Sequence, residues 1–185
     1  MSSLFSEIQQ RRITNLKKLG LLAEHISPGS ATRVVRKGKS SVSLYTVGYE
    51  KRDGDQLISV LVDNGIKTLA DVRQRAMSRK PDFRAAALRK KCQEAGIEYQ
   101  SWPSLGSTVE LRDELAESGN FTQFASDFRE LALQTLMTDI KRLAQSVSLS
   151  PTALLCYERA HEECHRSIIA DLAAKHIDAT VIAVC

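Results

Sequence analysis

Chemically reactive side chains are concentrated near the carboxyl end of the chain, in the segment C-Y-E-R-A-H-E-E-C-H-R that runs from Cys156 to Arg166. A strand that ends at Cys156 and a helix that begins near Cys164 and His165 would place thiol, imidazole and guanidinium groups around the positive end of a helix dipole. Free backbone N–H groups at such an end bind anions and favour the thiolate form of a nearby cysteine. The segment therefore predicts anion binding or thiol chemistry.

Two functional interpretations follow directly. In one, Arg166 and the helix end bind a phosphate or carboxylate without a covalent step. In the other, Cys156 or Cys164 attacks a substrate, as in cysteine phosphatases and rhodanese-type sulfurtransferases. The phosphatase loop has the form C-x5-R, whereas nine residues separate Cys156 from Arg166 and one separates Cys164 from it. The spacing therefore does not match that loop.

Two further interpretations stay open. The first is a zinc site, although paired C-x2-C motifs are missing; its ligands would be Cys156, His161, Cys164 and His165. The second is purely structural, with buried cysteines and an internal ion pair between Arg166 and Glu158. We expect no bound metal, because those paired motifs are missing and the adjacent Cys164 and His165 would form a strained chelate. We expect no cofactor, because the sequence has no nucleotide-cofactor motif.

The elements around this segment alternate between strand and helix. Short β-branched runs predict strands over residues 42–47, 68–72, 97–102, 153–156 and 179–184. Apolar periodicity predicts helices after Asp53, from Asp82 to Gly96, over 109–118 and 121–146, and from near His165. This alternation is typical of an α/β domain whose mainly parallel sheet carries helices on both faces.

Ligands of such sheets bind outside the carboxyl ends of the strands. We therefore expect one site that combines the residues at those ends. Its expected catalytic residues are Asp71, Glu158, Cys156, Cys164 and His165, and its expected substrate- or anion-binding residues are Gly48, Tyr49, Arg73, Arg79, Trp102, Arg159 and Arg166. Asp71 or Glu158 would act as a general base, and Tyr49 or Trp102 would stack on a base. A salt bridge between Asp71 and Arg73 is the structural alternative.

The charge of the chain is unevenly distributed. The total is +4, but residues 1–91 contain 19 basic and 8 acidic side chains, a net charge of +11, and residues 92–185 contain 7 basic and 14 acidic ones, a net charge of −7. Residues 67–91 alone have a net charge of +7, and Arg79 lies in the predicted loop there. Such a patch beside a cleft is typical of phosphate-backbone binding, and a solvated basic helix face is the alternative.

The sequence predicts two regions: a basic helical extension and linker over residues 1–41, and the α/β domain over residues 42–185. Four cysteines without regular spacing, no signal sequence and no long apolar stretch predict a cytoplasmic protein that does not enter a membrane. The oligomeric state is not determined by these features.

Several motifs together resemble the DUF488 family of bacterial and archaeal proteins. They are T-V-G-Y-E, I-K-T-L-A-D-V-R, P-D-F, G-I-E-Y with P-S-L-G, and above all L-L-C-Y-E-R-x4-C-H-R-S, over residues 44–184. Tyr49 stands where the family usually has the His of a G-H pair. The resemblance implies an α/β domain whose site consists of Gly48, Asp71, Arg73, Cys156, Glu158, Cys164, His165 and Arg166. It implies no reaction, although work on nucleic acids is suspected of the family.

The leading hypothesis is a nucleic-acid-associated protein, such as a DNA repair or base-processing hydrolase that needs no cofactor. The alternatives are a small-molecule enzyme with a reactive cysteine, resembling a phosphatase or a sulfurtransferase, and a non-catalytic nucleic-acid-binding module.

Overall fold

The structure is a computed structural model that describes residues 32–184. Within these residues, six strands form one sheet in the order β1-β6-β2-β5-β3-β4. The strands are β1 (Thr32–Arg36), β2 (Ser43–Gly48), β3 (Thr68–Asp71), β4 (Glu98–Ser101), β5 (Thr152–Cys156) and β6 (Thr180–Val184). All neighbours are parallel except β1, which pairs antiparallel with β6. The predicted, mainly parallel sheet is confirmed.

Helices cover both faces of the sheet, also as predicted. They are α1 (Gly54–Asp63), α2 (Ala85–Glu94), α3 (Val109–Ser118), α4 (Phe121–Leu131), α5 (Met137–Leu149) and α6 (His165–Ile177). One buried apolar cluster lies under α1 and α2, and a second lies between the sheet and α3 to α6. The central strands β2 and β5 are buried almost throughout because both faces are covered.

Local sequence chemistry sets the ends of α1. The carboxylate of Asp53 accepts a hydrogen bond from the backbone N–H of Gln56 (2.8 Å), and the Gln56 side chain accepts one from the Asp53 backbone N–H in return. This reciprocal pair is a capping box. Gly65 follows the helix with a φ of 66°, a left-handed conformation that favours glycine.

The prediction that the next helix begins at Asp82 was wrong. Pro81–Phe83 is a 3-10 turn, Arg84 is extended, and α2 begins only at Ala85. The Asp82 carboxylate instead accepts a hydrogen bond from the backbone N–H of Gly54 at 3.1 Å. Asp82 thereby connects the loop before α2 to the start of α1.

The predicted linker was also wrong in part, because residues 32–36 form the edge strand β1. The Arg36 guanidinium donates a hydrogen bond to the carbonyl oxygen of Ala179 (2.6 Å), and Arg33 forms an ion pair with Glu162. Charged side chains on an edge strand discourage further strand pairing. Because Arg33 and Arg36 occupy this short strand, its sequence lacks the apolar alternation that would predict it. The predicted N-terminal helix lies outside the described residues.

A π-helical turn at Ala132–Leu136 joins α4 to α5, where the sequence predicts one continuous helix. No helix within residues 32–184 is long and apolar enough to cross a membrane.

Candidate functional site

The strand order brings together the residues predicted at the carboxyl ends of β2, β5 and β3. These strands are neighbours in the sheet, with Gly48 opposite Cys156 and Asp71 opposite Leu155. The pairing of β2 with β5 continues past the strand ends, since the Tyr49 backbone N–H donates to the Cys156 carbonyl at 3.2 Å. Two buried clusters of polar side chains lie at these strand ends.

The first group, here called the Asp71 network, consists of Tyr49, Asp71, Arg73 and Tyr99. Arg73 donates two hydrogen bonds to Asp71, from Nε to Oδ1 (2.8 Å) and from Nη2 to Oδ2 (2.5 Å). The Tyr99 hydroxyl donates to Asp71 Oδ2 (2.7 Å), and Arg73 Nη1 donates to the Tyr49 hydroxyl (3.0 Å). The Asp71 carboxylate is thus fully engaged by neighbouring side chains.

The electrostatics of this network favour the charged pair. Burial opposes the charge of Arg73, but the hydrogen bonds and the negative charge of Asp71 outweigh it and raise the pKa of the guanidinium. Burial and the neighbouring Asp71 raise the pKa of Tyr99, so its hydroxyl keeps its proton for the hydrogen bond. The arrangement corresponds to the salt-bridge alternative for Asp71 and Arg73.

Tyr49 does not present a free ring to a ligand in this structure. The ring of Phe83 stacks on it with centroids 4.2 Å apart, and the ring of Tyr157 meets it edge-on with centroids 5.3 Å apart. Tyr49 is 4% exposed. A base could stack on Tyr49 only after these neighbours moved.

The second group, here called the Cys156 cluster, consists of Cys156, Glu158, Cys164 and His165. Nδ1 of His165 lies 3.7 Å from the Cys156 sulfur and 3.9 Å from the Cys164 sulfur. Nε2 of the same ring donates a hydrogen bond to the carbonyl oxygen of Val72 (3.0 Å), so Nδ1 is the ring nitrogen that faces both sulfurs. Cys156, Cys164 and His165 are all buried, with 4%, 1% and 6% exposure.

The pKa values of the side chains in the Cys156 cluster shift in different directions. The hydrogen bond with Cys164, together with burial, raises the pKa of Cys156. Burial opposes ionisation of Cys164, but its hydrogen bond with Cys156 and the charge of His165 outweigh burial and lower its pKa. Burial likewise opposes the charge of His165, but Cys164 raises its pKa, and burial raises the pKa of Glu158 to about 7. Cys164 is therefore the thiol that ionises first.

Backbone contacts hold the loop that carries Glu158 over the strand ends. Buried Arg166 donates from Nη1 to the Glu158 carbonyl (2.6 Å) and from Nη2 to the Arg159 carbonyl (3.2 Å). Arg166 thus binds the loop backbone and not the Glu158 carboxylate. A Cβ on Gly48 would lie 1.8 Å from the Glu158 carbonyl oxygen, so the loop can pass only over a glycine.

The other expected binding residues lie further out. Arg79 and Arg159 are exposed beside the strand ends. Trp102 is partly buried, donates from its indole nitrogen to Gln100 (3.3 Å) and lies under the guanidinium of Arg142 at 5.8 Å. It lines a cleft of about 600 Å³ between β4 and α5. His161 is not part of the Cys156 cluster. Its Nδ1 forms a hydrogen bond with the Thr46 hydroxyl at 2.9 Å.

Comparison with known proteins identifies the family. The model of the family described as "Domain of unknown function DUF488" matches residues 54–173. The chain belongs to the DUF488 family. The match includes Asp71 and the whole Cys156 cluster, whereas Gly48 and Tyr49 precede it. No curated protein and no solved structure matches the chain.

Sequence reasoning missed some partners within this DUF488 domain. Tyr99 completes the Asp71 network, although it lies inside β4 and not at a strand end. The carbonyl of Val72 orients His165, but a backbone acceptor gives no signal in a sequence. The irregular conformation of the loop between β5 and α6 decides which side chains meet, and motif spacing does not define that conformation.

Proposed function

We propose that this DUF488 protein binds the phosphate groups of nucleic acid at a basic rim beside the carboxyl ends of the strands. The rim consists of the exposed side chains Lys51, Arg75, Arg79, Arg84 and Arg159. The single observation that supports the proposal most is that these cations come from three separate loops that contact one another. Phosphate-backbone binding requires such a continuous positive surface.

Hydrogen bonds connect the three loops. The Arg159 backbone N–H donates to the Glu50 carboxylate at 3.0 Å, which links the loop after β5 to the loop after β2. Lys80 Nζ donates to the carbonyl of Arg52 at 2.8 Å, which links the loop after β2 to the loop after β3. Arg84 Nε donates to the carbonyl of Ser78 at 3.3 Å. These bonds hold the loops that carry the rim against one another, which supports the proposal.

The proposed hydrolytic step assigns water activation to Glu158 and not to Asp71. Both carboxylates occur in the sequence-based hypothesis, but Asp71 is saturated by Arg73 and Tyr99. Oε2 of Glu158 is buried and has no hydrogen-bond partner among the described residues. An unpaired buried carboxylate oxygen can accept a proton from water, whereas a saturated one must first break existing bonds.

Phosphate binding is tested by fluorescence anisotropy with a labelled DNA duplex and a labelled RNA strand at several salt concentrations. We expect the double variant R79A/R159A to bind more weakly and to lower the salt slope for a duplex by about 1.8, from about 0.9 per lost phosphate contact. The matched control is K67A/K175A, which removes two positive charges from exposed side chains near the other end of the sheet. Equal loss in both variants, or binding without salt dependence, would refute the proposal.

The catalytic part is tested separately on oligonucleotides that contain modified or mismatched bases. We expect E158Q to keep the binding affinity and lose hydrolysis. Unchanged binding with no hydrolysis by the wild-type protein would identify a non-catalytic binding module instead.

A further inference from the structure

We propose that Cys156, Cys164 and His165 bind a zinc ion, with the fourth coordination position facing Glu158. The ligand atoms of the three residues all lie within 4.8 Å of one another. The site does not depend on nucleic-acid binding at the basic rim, so failure of one proposal leaves the other standing.

The distances fit a tetrahedral ion. Zn–S bonds of about 2.3 Å and Zn–N bonds of about 2.05 Å at tetrahedral angles separate sulfur and nitrogen ligands by about 3.6 Å. Nδ1 of His165 lies 3.7 Å from the Cys156 sulfur and 3.9 Å from the Cys164 sulfur. Both sulfur–nitrogen separations therefore match those of zinc ligands to within a few tenths of an ångström, and the two sulfurs lie within 4.8 Å of each other.

The surroundings of His165 match those of a metal-binding imidazole. Such a ring usually donates its second N–H to a carbonyl or carboxylate, which fixes the tautomer and the ring orientation. Nε2 of His165 donates to the carbonyl of Val72 at 3.0 Å, and the Val72 backbone N–H is itself bonded to Leu155 at 3.3 Å. Nδ1 thereby faces the two sulfurs.

The conformation of Cys164 permits adjacent residues to serve as ligands. Cys164 precedes the first turn of α6 with extended dihedral angles (φ −139°, ψ 140°), and His165 is the first residue of that helix. This bend between the two residues directs both side chains to the same place, as the 3.9 Å contact shows.

The Glu158 carboxylate contains a buried oxygen that no described protein atom satisfies by a hydrogen bond. The carboxylate borders both sulfurs, and the buried oxygen is its Oε2. A water molecule on the ion would donate to this oxygen. Two sulfurs and one imidazole nitrogen select zinc-like ions over magnesium and calcium, which prefer oxygen ligands. His161 does not belong to the group of ligand atoms that lie close together among the described residues.

The experiment uses the full chain after treatment with a chelator. Zinc binding is measured by competition with a chromophoric chelator, and cobalt is then substituted for zinc. We expect one ion per chain and a cobalt spectrum with sulfur-to-metal charge transfer and tetrahedral d–d bands. C156S and C164S should each weaken zinc binding by at least about 100-fold, whereas C92S should bind like the wild type because Cys92 lies in the core beneath α1 and α2.

Circular dichroism of each variant establishes that it is folded. If a variant does not fold, the cobalt spectrum of the wild type decides alone. Absence of sulfur charge transfer, or equal zinc affinity in C164S and C92S, would overturn the proposal. Rapid alkylation of Cys156 and Cys164 by iodoacetamide in the presence of saturating zinc would also overturn it, and would support the reactive-thiol alternative.

Discussion

The Asp71 network and the Cys156 cluster lie at the ends of adjacent strands and are both buried, yet their polar atoms are satisfied to different degrees. Every carboxylate oxygen of Asp71 has a charged or hydroxyl donor at hydrogen-bond distance. In the Cys156 cluster, His165 reaches the sulfurs only through long contacts, and Glu158 has an unpaired oxygen. A closed network stabilises a fold, whereas an incomplete one retains binding capacity for a ligand.

The largest expected effect comes from breaking the closed network. D71N leaves the Arg73 charge buried without its partner, and loss of one partner from a buried ion pair costs about 3 to 5 kcal/mol. We expect the free energy of unfolding, measured by urea denaturation, to fall by that amount. Arg73 is only 6% exposed, so solvent cannot compensate for the lost carboxylate.

The control for this variant is D55N. Asp55 also pairs with a cation, Lys91 at 2.6 Å, but the Asp55 side chain is 89% exposed. Water replaces the lost partner at such a position, so we expect no measurable shift of the denaturation midpoint. Similar midpoints for D71N and D55N would show that the Asp71 network does not brace the fold.

The second largest effect is expected when zinc binds to the Cys156 cluster. Zinc at about 100 times its dissociation constant should stabilise the folded chain by about 2.7 kcal/mol. For a chain of this size, that corresponds to a rise in Tm of roughly 5 to 10 °C. A thermal scan of wild type and H165A, each with and without zinc, measures the effect. An equal rise in both proteins would contradict zinc binding at His165.

The contrast also shows how far the sequence leads. Alternation of apolar runs and helical stripes predicts β2 to β6 and most helix ends within a few residues, because burial on both faces selects those side chains. It misses β1, where Arg33 and Arg36 lie on an edge strand that needs few apolar contacts. It also misses the extended Arg84 that delays α2, since local propensity does not encode the bond between Asp82 and Gly54.

For the site, the sequence identifies which strand ends meet but not which atoms bond. The stretch that the family model matches includes Asp71, Cys156, Cys164 and His165, and the strand order places these residues at the carboxyl ends of neighbouring strands. Which carboxylate is saturated depends on Tyr99 from a different strand. Whether Arg166 binds an anion or the loop depends on the loop's path over Gly48. Both are properties of tertiary packing.

That path gives a third prediction. In G48A the added Cβ would lie 1.8 Å from the Glu158 carbonyl oxygen, so the loop must move. We expect a loss of about 2 kcal/mol in unfolding free energy, as for an overpacked core, and weaker zinc binding because Cys156 and Cys164 flank the moved segment. Urea denaturation and chelator competition measure the two effects.

G119A is the comparison variant. A Cβ on Gly119 meets no atom within 4 Å, and only its positive φ of 63° disfavours alanine. We expect a stability loss of about 1 kcal/mol without any change in zinc affinity. Unchanged zinc affinity in G48A as well would show that the position of the loop over Gly48 does not affect zinc binding at the Cys156 cluster.

Apart from the control variants, the smallest effect is expected from removing the hydroxyl of Tyr99 from the Asp71 network. Y99F removes the hydroxyl that donates to Asp71 Oδ2 at 2.7 Å, while both bonds from Arg73 remain. One hydrogen bond to a charged group contributes about 1.5 kcal/mol, so we expect that loss in urea denaturation. Y157F is the control, since Tyr157 is 48% exposed, and we expect a change below about 0.5 kcal/mol. Because both hydrogen bonds from Arg73 to Asp71 remain, Y99F should leave zinc affinity unchanged. If the affinity fell in Y99F but not in Y157F, the Asp71 network and the Cys156 cluster would act as one unit, and their separation into a stabilising network and a binding site would be wrong.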